Sequence, residues 1–339
     1  MQQARRLIAS ITSTLVASLV TSLVTSIVTL LGAGQALAQP YPSRPVRIVV
    51  PYPAGGPADV LVRGLGQKLS EIWGQPVVVD NRPGANEMIA AESVAKSPAD
   101  GYTFLVASDS VFTLNPHLYS KVPYDTVRDF LPVTRLVTAN LMLVTRPDFP
   151  ASNMRDLIDY VKKNPGKLTY ASVGAGGVNH LPMAWLSNQH GLTMEHIPYK
   201  GLPPALQDVV ASRVDMMVAV IGGAMPFVND GRIKAIAVAG KTRATVAPNV
   251  PTYAEAGFAN FDASFYFGVA APRGTPAEIA NKFAADAAKI VATDDFKARF
   301  LTNLGFAPVT ETPEQFANFL KGDRELAAQK VKISGAKLD

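Results

Sequence analysis

The sequence has no cysteine among its 339 residues. Disulfide-stapled folds, zinc–thiolate sites, iron–sulfur clusters and a cysteine nucleophile are therefore excluded. Charged residues are also few, at 17%, whereas hydrophobic residues make up 48%. A disordered chain or a coiled coil would carry more charge, so the composition predicts a globular protein with a large core, and the length suggests about two domains.

A strong excess of charge of either sign is absent as well. The chain carries 32 Lys and Arg against 27 Asp and Glu, a formal net charge of +5. A nucleic-acid-binding domain concentrates basic residues on one stripe or helix, and no such cluster is evident. We therefore expect no nucleic-acid partner.

Long hydrophobic runs are confined to the first 38 residues. Arg5 and Arg6 precede an uncharged run over residues 7–31, which is followed by GAGQALA. This order is typical of a secretory signal peptide, and it predicts cleavage after Ala38. A retained transmembrane anchor is the alternative, although Ser and Thr dilute the run. Cleavage leaves 30 basic and 27 acidic residues, hence a soluble exported chain of net charge +3, with no cysteine to carry a lipid anchor.

The rest of the chain alternates short β-branched runs with longer helical stretches, which is typical of an α/β protein with mostly parallel sheets. Capping-box patterns at Thr252, Thr275 and Thr312 predict three helix starts. No Pro- or Ser-rich linker separates two halves. We therefore expect two lobes joined by crossover strands, near residues 138–146 and 261–271.

Two glycine-rich loops follow predicted strands and precede predicted helices, over residues 51–59 (PYPAGGPAD) and 171–180 (ASVGAGGVNH). Small residues there let backbone N–H groups and a helix N-terminus approach one anion held between two lobes. Glycines that serve only tight turns are the alternative. The candidate ligand-binding residues in these loops are Tyr52, Ala54, Gly55, Gly56, Asp59, Gly174, Gly176, Gly177, Asn179 and His180.

Further candidates lie outside the loops. Ser108 and Asp109 end a predicted strand, where α/β sheets place ligands, and the Tyr199 hydroxyl is a possible ligand donor. Two of the loop residues have a structural role as the alternative to ligand binding. Asp59 is four residues from Arg63 on the predicted helix and can form an ion pair with it, and His180 can pack against its own loop.

Several catalytic classes lack their signatures. The third glycine of G-x-G-x-x-G is replaced by Asn179, no G-x-x-x-x-G-K-[ST] occurs, and no G-x-S-x-G is present. The four histidines form no H-E-x-x-H, so a metal site is not expected. We expect neither catalysis nor a cofactor.

At these residues the sequence resembles the Bug family, the extracytoplasmic solute receptors of tripartite tricarboxylate transporters. The matching segments run in order over nearly all of residues 40–335. They are PYPAGGPAD (51–59), DNRPGA (80–85), PADGYT (98–103), YASVG (170–174), PYKG (198–201), and PT (251–252) with EAG (255–257).

The resemblance implies a two-lobed periplasmic binding protein of type II, with two crossover strands and, in each lobe, a mixed, mainly parallel sheet flanked by helices. Residues 39–141 and 266–339 would form lobe 1, and residues 142–265 lobe 2. The implied protein is a monomeric periplasmic receptor. It would capture a small organic acid, or a related amide or aromatic carboxylate, partly through ordered water molecules. It would then deliver this ligand to membrane permease subunits. A receptor that signals to a sensor kinase and an exported enzyme of unrecognised type are the alternatives.

Two positions depart from the family pattern. Family members usually continue NRPGA with two glycines, where this chain has Asn86 and Glu87. The loop after Gly174 also differs, with Gly176, Gly177, Val178 and Asn179. The first change puts a polar pair near the cleft or on its rim, and the second leaves the ligand's identity open.

Overall fold

The computed structural model describes residues 40–259, 261, 263–336 and 338. The chain divides into residues 1–43 and residues 44–339, and every strand and helix of the described residues lies in the second unit. The predicted signal peptide, residues 1–38, lies outside the described residues. No helix in the described part of the chain combines the length and apolar character that crossing a bilayer requires.

The described residues form an α/β fold. The strands are β1 (Val46–Val50), β2 (Val77–Asn81), β3 (Thr103–Ser108), β4 (Phe130–Thr145), β5 (Thr169–Ser172), β6 (Glu195–Pro198), β7 (Met216–Val220), β8 (Lys234–Val238), β9 (Ser264–Pro272) and β10 (Phe306–Pro308). The helices are α1 (Pro57–Trp73), α2 (Met88–Ala95), α3 (Asn115–Leu118), α4 (Met154–Lys163), α5 (Leu181–His190), α6 (Leu202–Val210), α7 (Ile221–Asn229), α8 (Ala277–Ala292), α9 (Asp294–Phe296) and α10 (Pro313–Ser334).

The strands form two groups that share β4. The order is β2–β1–β3–β9–β4–β7–β5–β6, and β8 and β10 also pair with β4. We call the strands β1–β3, β9 and β10 the first lobe and β5–β8 the second lobe. Parallel pairs join β1 to β2 and β3, and β5 to β6 and β7, whereas every antiparallel pair among the described strands involves β4 or β9. The two-lobed α/β prediction is confirmed, while its residue boundaries stay a prediction.

Strand β4 is longer at its N-terminal end than the sequence pattern predicts. It begins at Phe130, although the apolar extended pattern is clear only from about residue 138. Pro132 explains the difference, because proline within a sheet is confined to bulges and edges. The pairing of β4 with β9 shifts register between Pro132 and Thr134, so the proline lies at a bulge.

The capping-box predictions have three different outcomes. At Thr312 both hydrogen bonds form and α10 follows. At Thr252 both also form, with Glu255, but only a turn follows, so the predicted helix is wrong. Before α8, the Thr275 hydroxyl instead donates to Pro272 O at 2.8 Å, so the box is wrong although the helix is present. At Thr252 and Thr312 the capping hydrogen bonds form as predicted, but a helix follows only at Thr312. A capping-box pattern alone therefore does not establish that a helix follows.

The first-lobe core packs α10 and the turn after β3 against the sheet. Phe112 and Phe316 are almost fully buried and meet edge to face, with ring centroids 5.5 Å apart. The cluster includes Val49, Ala90, Leu105, Phe112, Phe130, Tyr266, Ala270 and Phe316. This core supports the C-terminal ends of β1 and β3, where the chain leaves the sheet.

The first turn of α7 packs so closely on residues 303–304 that only glycine fits there. A Cβ on Gly222 would lie 2.3 Å from Leu304 Cα and 2.4 Å from Asn303 O. Because both neighbours are backbone atoms, we expect Gly222→Ala to lower the free energy of unfolding by about 1–3 kcal/mol in urea denaturation followed by circular dichroism.

Gly322 is the matched control, because it lies within α10 and a Cβ there meets nothing within 4 Å. Gly322→Ala should raise the free energy of unfolding by about 0.5–1 kcal/mol, through the better helix propensity of alanine. Equal effects of the two substitutions would show that the backbone contact at Gly222 is unimportant.

Candidate functional site

The loop after β1 is locked by the carboxylate of Asp59. This side chain accepts hydrogen bonds from Gly55 N (2.9 Å), Arg63 Nε (2.9 Å) and Asn81 Nδ2 (2.8 Å). Burial by itself raises the pKa of Asp59, but these hydrogen bonds outweigh it and hold the pKa below its ordinary value. Asp59 is therefore an ionised residue that positions the loop.

The loop after β5 uses three of its own amide groups internally. Gly174 N donates to Ser172 Oγ (3.1 Å), Gly176 N to His180 Nδ1 (3.0 Å) and Gly177 N to Gly174 O (3.2 Å). The prediction that the glycines bring free N–H groups to a ligand is therefore wrong for these three amides. Their hydrogen bonds fix the loop's shape instead.

A group of aromatic rings includes His180 of this second loop. The His180 and His196 ring centroids are 4.1 Å apart, and Tyr170 stacks on His196 at 5.0 Å. His196 Nε2 lies 2.7 Å from Ser172 Oγ. Burial lowers the pKa of each histidine to about 4, helped at His180 by the neighbouring His196. The pair is neutral at pH 7, as the bond from Gly176 N to His180 Nδ1 requires.

One cavity lies between the two loops, and we call it the amide cavity. It has about 440 Å³ of empty volume, its open mouth included. Its lining residues are Tyr52, Pro53, Gly56, Pro57, Ala58, Val173, Val178, Asn179, Leu202, Pro203, Val220, Phe265 and Phe267. No charged side chain is among them, so the polar groups of the lining are those of the backbone and of the Asn179 and Tyr52 side chains.

Four backbone N–H groups of the amide cavity's lining have no partner within the described chain. They belong to Gly56 and Ala58, at the start of α1, and to Val178 and Asn179, before α5. Ala58 lies in the first turn of α1, where helical N–H groups have no partner within the helix, Gly56 is the N-cap of that helix, and Val178 and Asn179 precede the N-cap of α5. Free N–H groups close to a helix start favour an anion. The side chain of Asn179 is already engaged, because its Nδ2 donates to Val218 O at 2.6 Å.

A second cavity, which we call the glutamate cavity, shares Tyr52, Val173 and Val178 with the first. It has about 560 Å³ of empty volume, open solvent included. The rest of its lining is Pro51, Gly84, Ala85, Asn86, Glu87, Gly174, Gly177, Tyr199 and Lys200. The shared residues make the two cavities neighbours.

The structure brings some of the predicted site residues to these cavities. Tyr52, Gly56 and Asn179 line the amide cavity, and Tyr52, Gly174, Gly177 and Tyr199 line the glutamate cavity. The Tyr199 hydroxyl donates to Asp208 Oδ2 at 2.6 Å, so it is not free for a ligand. Asp109 lies in a third cavity, with Trp185 and Lys330.

The other predicted residues line neither cavity. They are Ala54, Gly55, Asp59, Ser108, Gly176 and His180. Asp59 and His180 make the contacts that their structural roles predict. Asp59 forms an ion pair with Arg63, and His180 accepts a hydrogen bond from Gly176 N of its own loop.

Sequence reasoning missed several lining residues. Phe265 and Phe267 reach the amide cavity from β9, and Leu202 reaches it from the start of α6. Their apolar character is indistinguishable from that of core residues in sequence. Glu87 is recognisable in the sequence, because it stands where the family pattern has a glycine. The neighbouring residues, however, do not predict which groups its side chain contacts.

Comparisons with known proteins agree with this architecture. A family model described as "Tripartite tricarboxylate transporter family receptor" matches residues 61–334. Over 315 residues, 90% of this chain and 94% of its relative, the sequence is 36% identical to protein BugT of Bordetella pertussis. A solved R. palustris protein with adipate has a TM-score of 0.84 at 32% identity, covering 88% of this chain and 100% of that one. MatC from Rhodopseudomonas palustris, with bound malate, has a TM-score of 0.81 at 31% identity, covering 86% and 100%.

The histidine pair predicts how stability depends on pH. Each folded pKa is about 4, below the ordinary 6.5, so between these values the unfolded chain binds more protons than the folded one. The stabilisation from the neutral pair is complete above pH 6.5 and is lost as the pH falls towards 4. His196→Phe keeps a ring in the stack but removes one titration. Urea unfolding at pH 7, 6, 5 and 4.5 should therefore show about one proton fewer taken up on unfolding.

His117→Asn is the control, because His117 is an exposed histidine that is not one of the stacked rings. Its pH profile should match that of the wild type. A His196→Phe profile that also matches the wild type would contradict a neutral buried pair.

Proposed function

Because the chain belongs to the tripartite tricarboxylate transporter receptor family, we propose that it captures a small carboxylate in the amide cavity and delivers it to the permease of such a transporter. The family consists of periplasmic solute-binding proteins of the Bug type, which are not enzymes. Two relatives of similar fold are solved with adipate and with malate. These relatives support a carboxylate as the ligand class.

The observation that carries the proposal is the set of four unpartnered N–H groups around one uncharged cavity. Two come from the start of α1 and two from the loop before α5, so one carboxylate can bridge the two lobes. A helix dipole contributes only about 0.3–1 kcal/mol, whereas micromolar affinity needs about 8.2 kcal/mol. Direct or water-mediated hydrogen bonds and contacts with Leu202, Phe265 and Phe267 must therefore supply most of the binding energy.

The proposed lobes comprise residues 39–141 with 266–339, and residues 142–265. The change of partner along β4 supports these boundaries, since Asn140 pairs with Ser264 of β9 and Leu141 pairs with Val220 of β7. The extended backbone between those positions is a natural hinge for a monomer that closes on its ligand. Closure would remove the carboxylate from water and strengthen each hydrogen bond to it.

Gly56 offers a direct test of the amide cavity. It has an ordinary negative φ, and the nearest atom to a Cβ there is Pro53 O at 3.7 Å, so a side chain is accommodated by the fold but enters the cavity. We expect Gly56→Leu to weaken carboxylate binding at least about tenfold, roughly the effect of losing one charge-assisted hydrogen bond. Isothermal titration with adipate, malate, succinate and benzoate measures the effect.

Gly322→Leu, on the exposed face of α10, is the control and should bind like the wild type. Failure of the folded, ligand-free wild type to bind any carboxylate would refute the proposed ligand class. Unchanged affinity of Gly56→Leu would remove the amide cavity from the site. Deleting the gene should abolish uptake of the acid that binds, if delivery to a permease is the role.

Export and cleavage after Ala38 form part of the proposal. The support is the order of basic, apolar and small residues at the N-terminus, together with the periplasmic character of the family. N-terminal sequencing of the protein released from the periplasm should begin at Gln39. A sequence that still begins at Met1, in the membrane fraction, would indicate a retained anchor.

A further inference from the structure

Glu87 has a backbone conformation that is energetically unfavourable for a residue with a side chain. Ala85, Asn86 and Glu87 have consecutive φ values of 47°, 46° and 71°, in the left-handed region where glycine is the low-cost residue. Backbone strain of this kind concentrates at functional sites. The glutamate is therefore present despite a conformational penalty, so a role for its side chain is expected.

Glu87 lines the glutamate cavity, and its carboxylate does not cap its own helix. Glu87 precedes α2 at the N-cap, yet its side chain makes no capping hydrogen bond. Oε1 accepts from the hydroxyls of Tyr52 and Ser108, and Oε2 accepts from Ser108 N at 2.9 Å. A carboxylate has about four acceptor positions, so one on Oε2 remains for another donor.

No cation of the described chain neutralises this carboxylate. Glu87 is only 6% exposed, none of the ion pairs among the described residues includes it, and no Lys or Arg contributes to the shift of its pKa. Lys200 lines the same cavity, but its side chain is exposed at the rim. Burial raises the pKa of Glu87, although hydrogen bonds from Ser108 and Tyr52 oppose the rise. A buried carboxylate without a counterion is costly unless a binding partner supplies the charge.

We propose that the ligand carries a protonated nitrogen that pairs with Glu87, so that the substrate class is a zwitterion such as an amino acid rather than a simple acid. This inference rests on the proposed function, in which the amide cavity holds the ligand's carboxylate. Tyr52, Val173 and Val178 border both cavities, so one small molecule can reach the free amides at one end and Glu87 at the other. An ammonium donates to the remaining position on Oε2 and restores charge balance when the cleft closes.

The arrangement also selects against unaminated acids. A simple dicarboxylate would bring its second negative charge towards Glu87, and like charges in a buried site repel strongly. The same carboxylate therefore both attracts an ammonium and excludes an anion. Discrimination by a single charged group in this setting amounts to about tenfold or more in affinity.

The test compares probes that differ only in an amino group: aspartate against succinate, and γ-aminobutyrate against butyrate. Isothermal titration of the wild type should give at least about tenfold tighter binding of the aminated member of a pair. Glu87→Gln keeps an acceptor oxygen but removes the charge, and it should abolish that preference. Glu92→Gln, on the same helix, is the control for loss of a carboxylate and should keep the preference, because Glu92 pairs with Lys96.

Glu87→Gly is the second variant, since glycine suits the φ of 71°. The relief of the backbone penalty offsets part of the loss of an acceptor for Tyr52 and Ser108, and thermal unfolding checks that the variant folds. It should also lose the preference for the amine. Lys200→Ala should show the same preference as the wild type. A preference for the amine that appears only after Lys200 is removed would make the rim lysine the partner of Glu87 in the wild type and would overturn the inference.

The outcomes separate this inference from the proposed function. Equal binding of both members of each pair, unchanged in Glu87→Gln, overturns the zwitterion inference and leaves a carboxylate receptor in place. Tighter binding of the unaminated acids as the pH is lowered means that Glu87 acts as a protonated donor, which also overturns it. No binding of any carboxylate contradicts the proposed function itself.

Discussion

The pairing of β4 sets the arrangement of every other element around the cavities. Its N-terminal part pairs with β9, and from Leu141 onward it pairs with β7 and β8, so one continuous strand belongs to both sheets. The loops after β1 and β5 belong to different lobes and nevertheless border one cavity. A long shared strand enforces this juxtaposition, because hydrogen-bonded register leaves little freedom for sliding.

The two loops use many of their polar groups in hydrogen bonds within the protein that fix their own shape. Asp59 holds the first loop through Gly55, Arg63 and Asn81, and Ser172 and His180 hold the second through glycine amides. The groups left over are a small set of N–H donors at two helix starts. Preorganised donors of this kind bind an anion without a further ordering cost, so the proposed carboxylate site does not require an arginine.

Much of this was predictable from sequence, for identifiable reasons. The α/β alternation, the strand-to-helix position of both glycine loops and the pairing of Asp59 with Arg63 all depend on neighbours within about four residues. The Thr252 pattern shows the limit of such reasoning, because its hydrogen bonds form while the helix does not. The roles of Gly174, Gly176 and Gly177 could not be predicted, because the conformational freedom of a glycine does not determine which acceptor its backbone N–H finds.

Sequence alone was enough to establish the class of molecule: an apolar, cysteine-free α/β chain behind an export-like N-terminus, with two glycine loops in a family's order. Which groups meet a ligand depends instead on contacts between distant segments. Glu87 lies 21 residues from Ser108 and 35 from Tyr52 along the chain, and these contacts exist because β1 and β3 are neighbours in one sheet. Local propensity cannot encode such a meeting, because the free energy that holds the three groups together comes from packing between segments that are far apart in sequence.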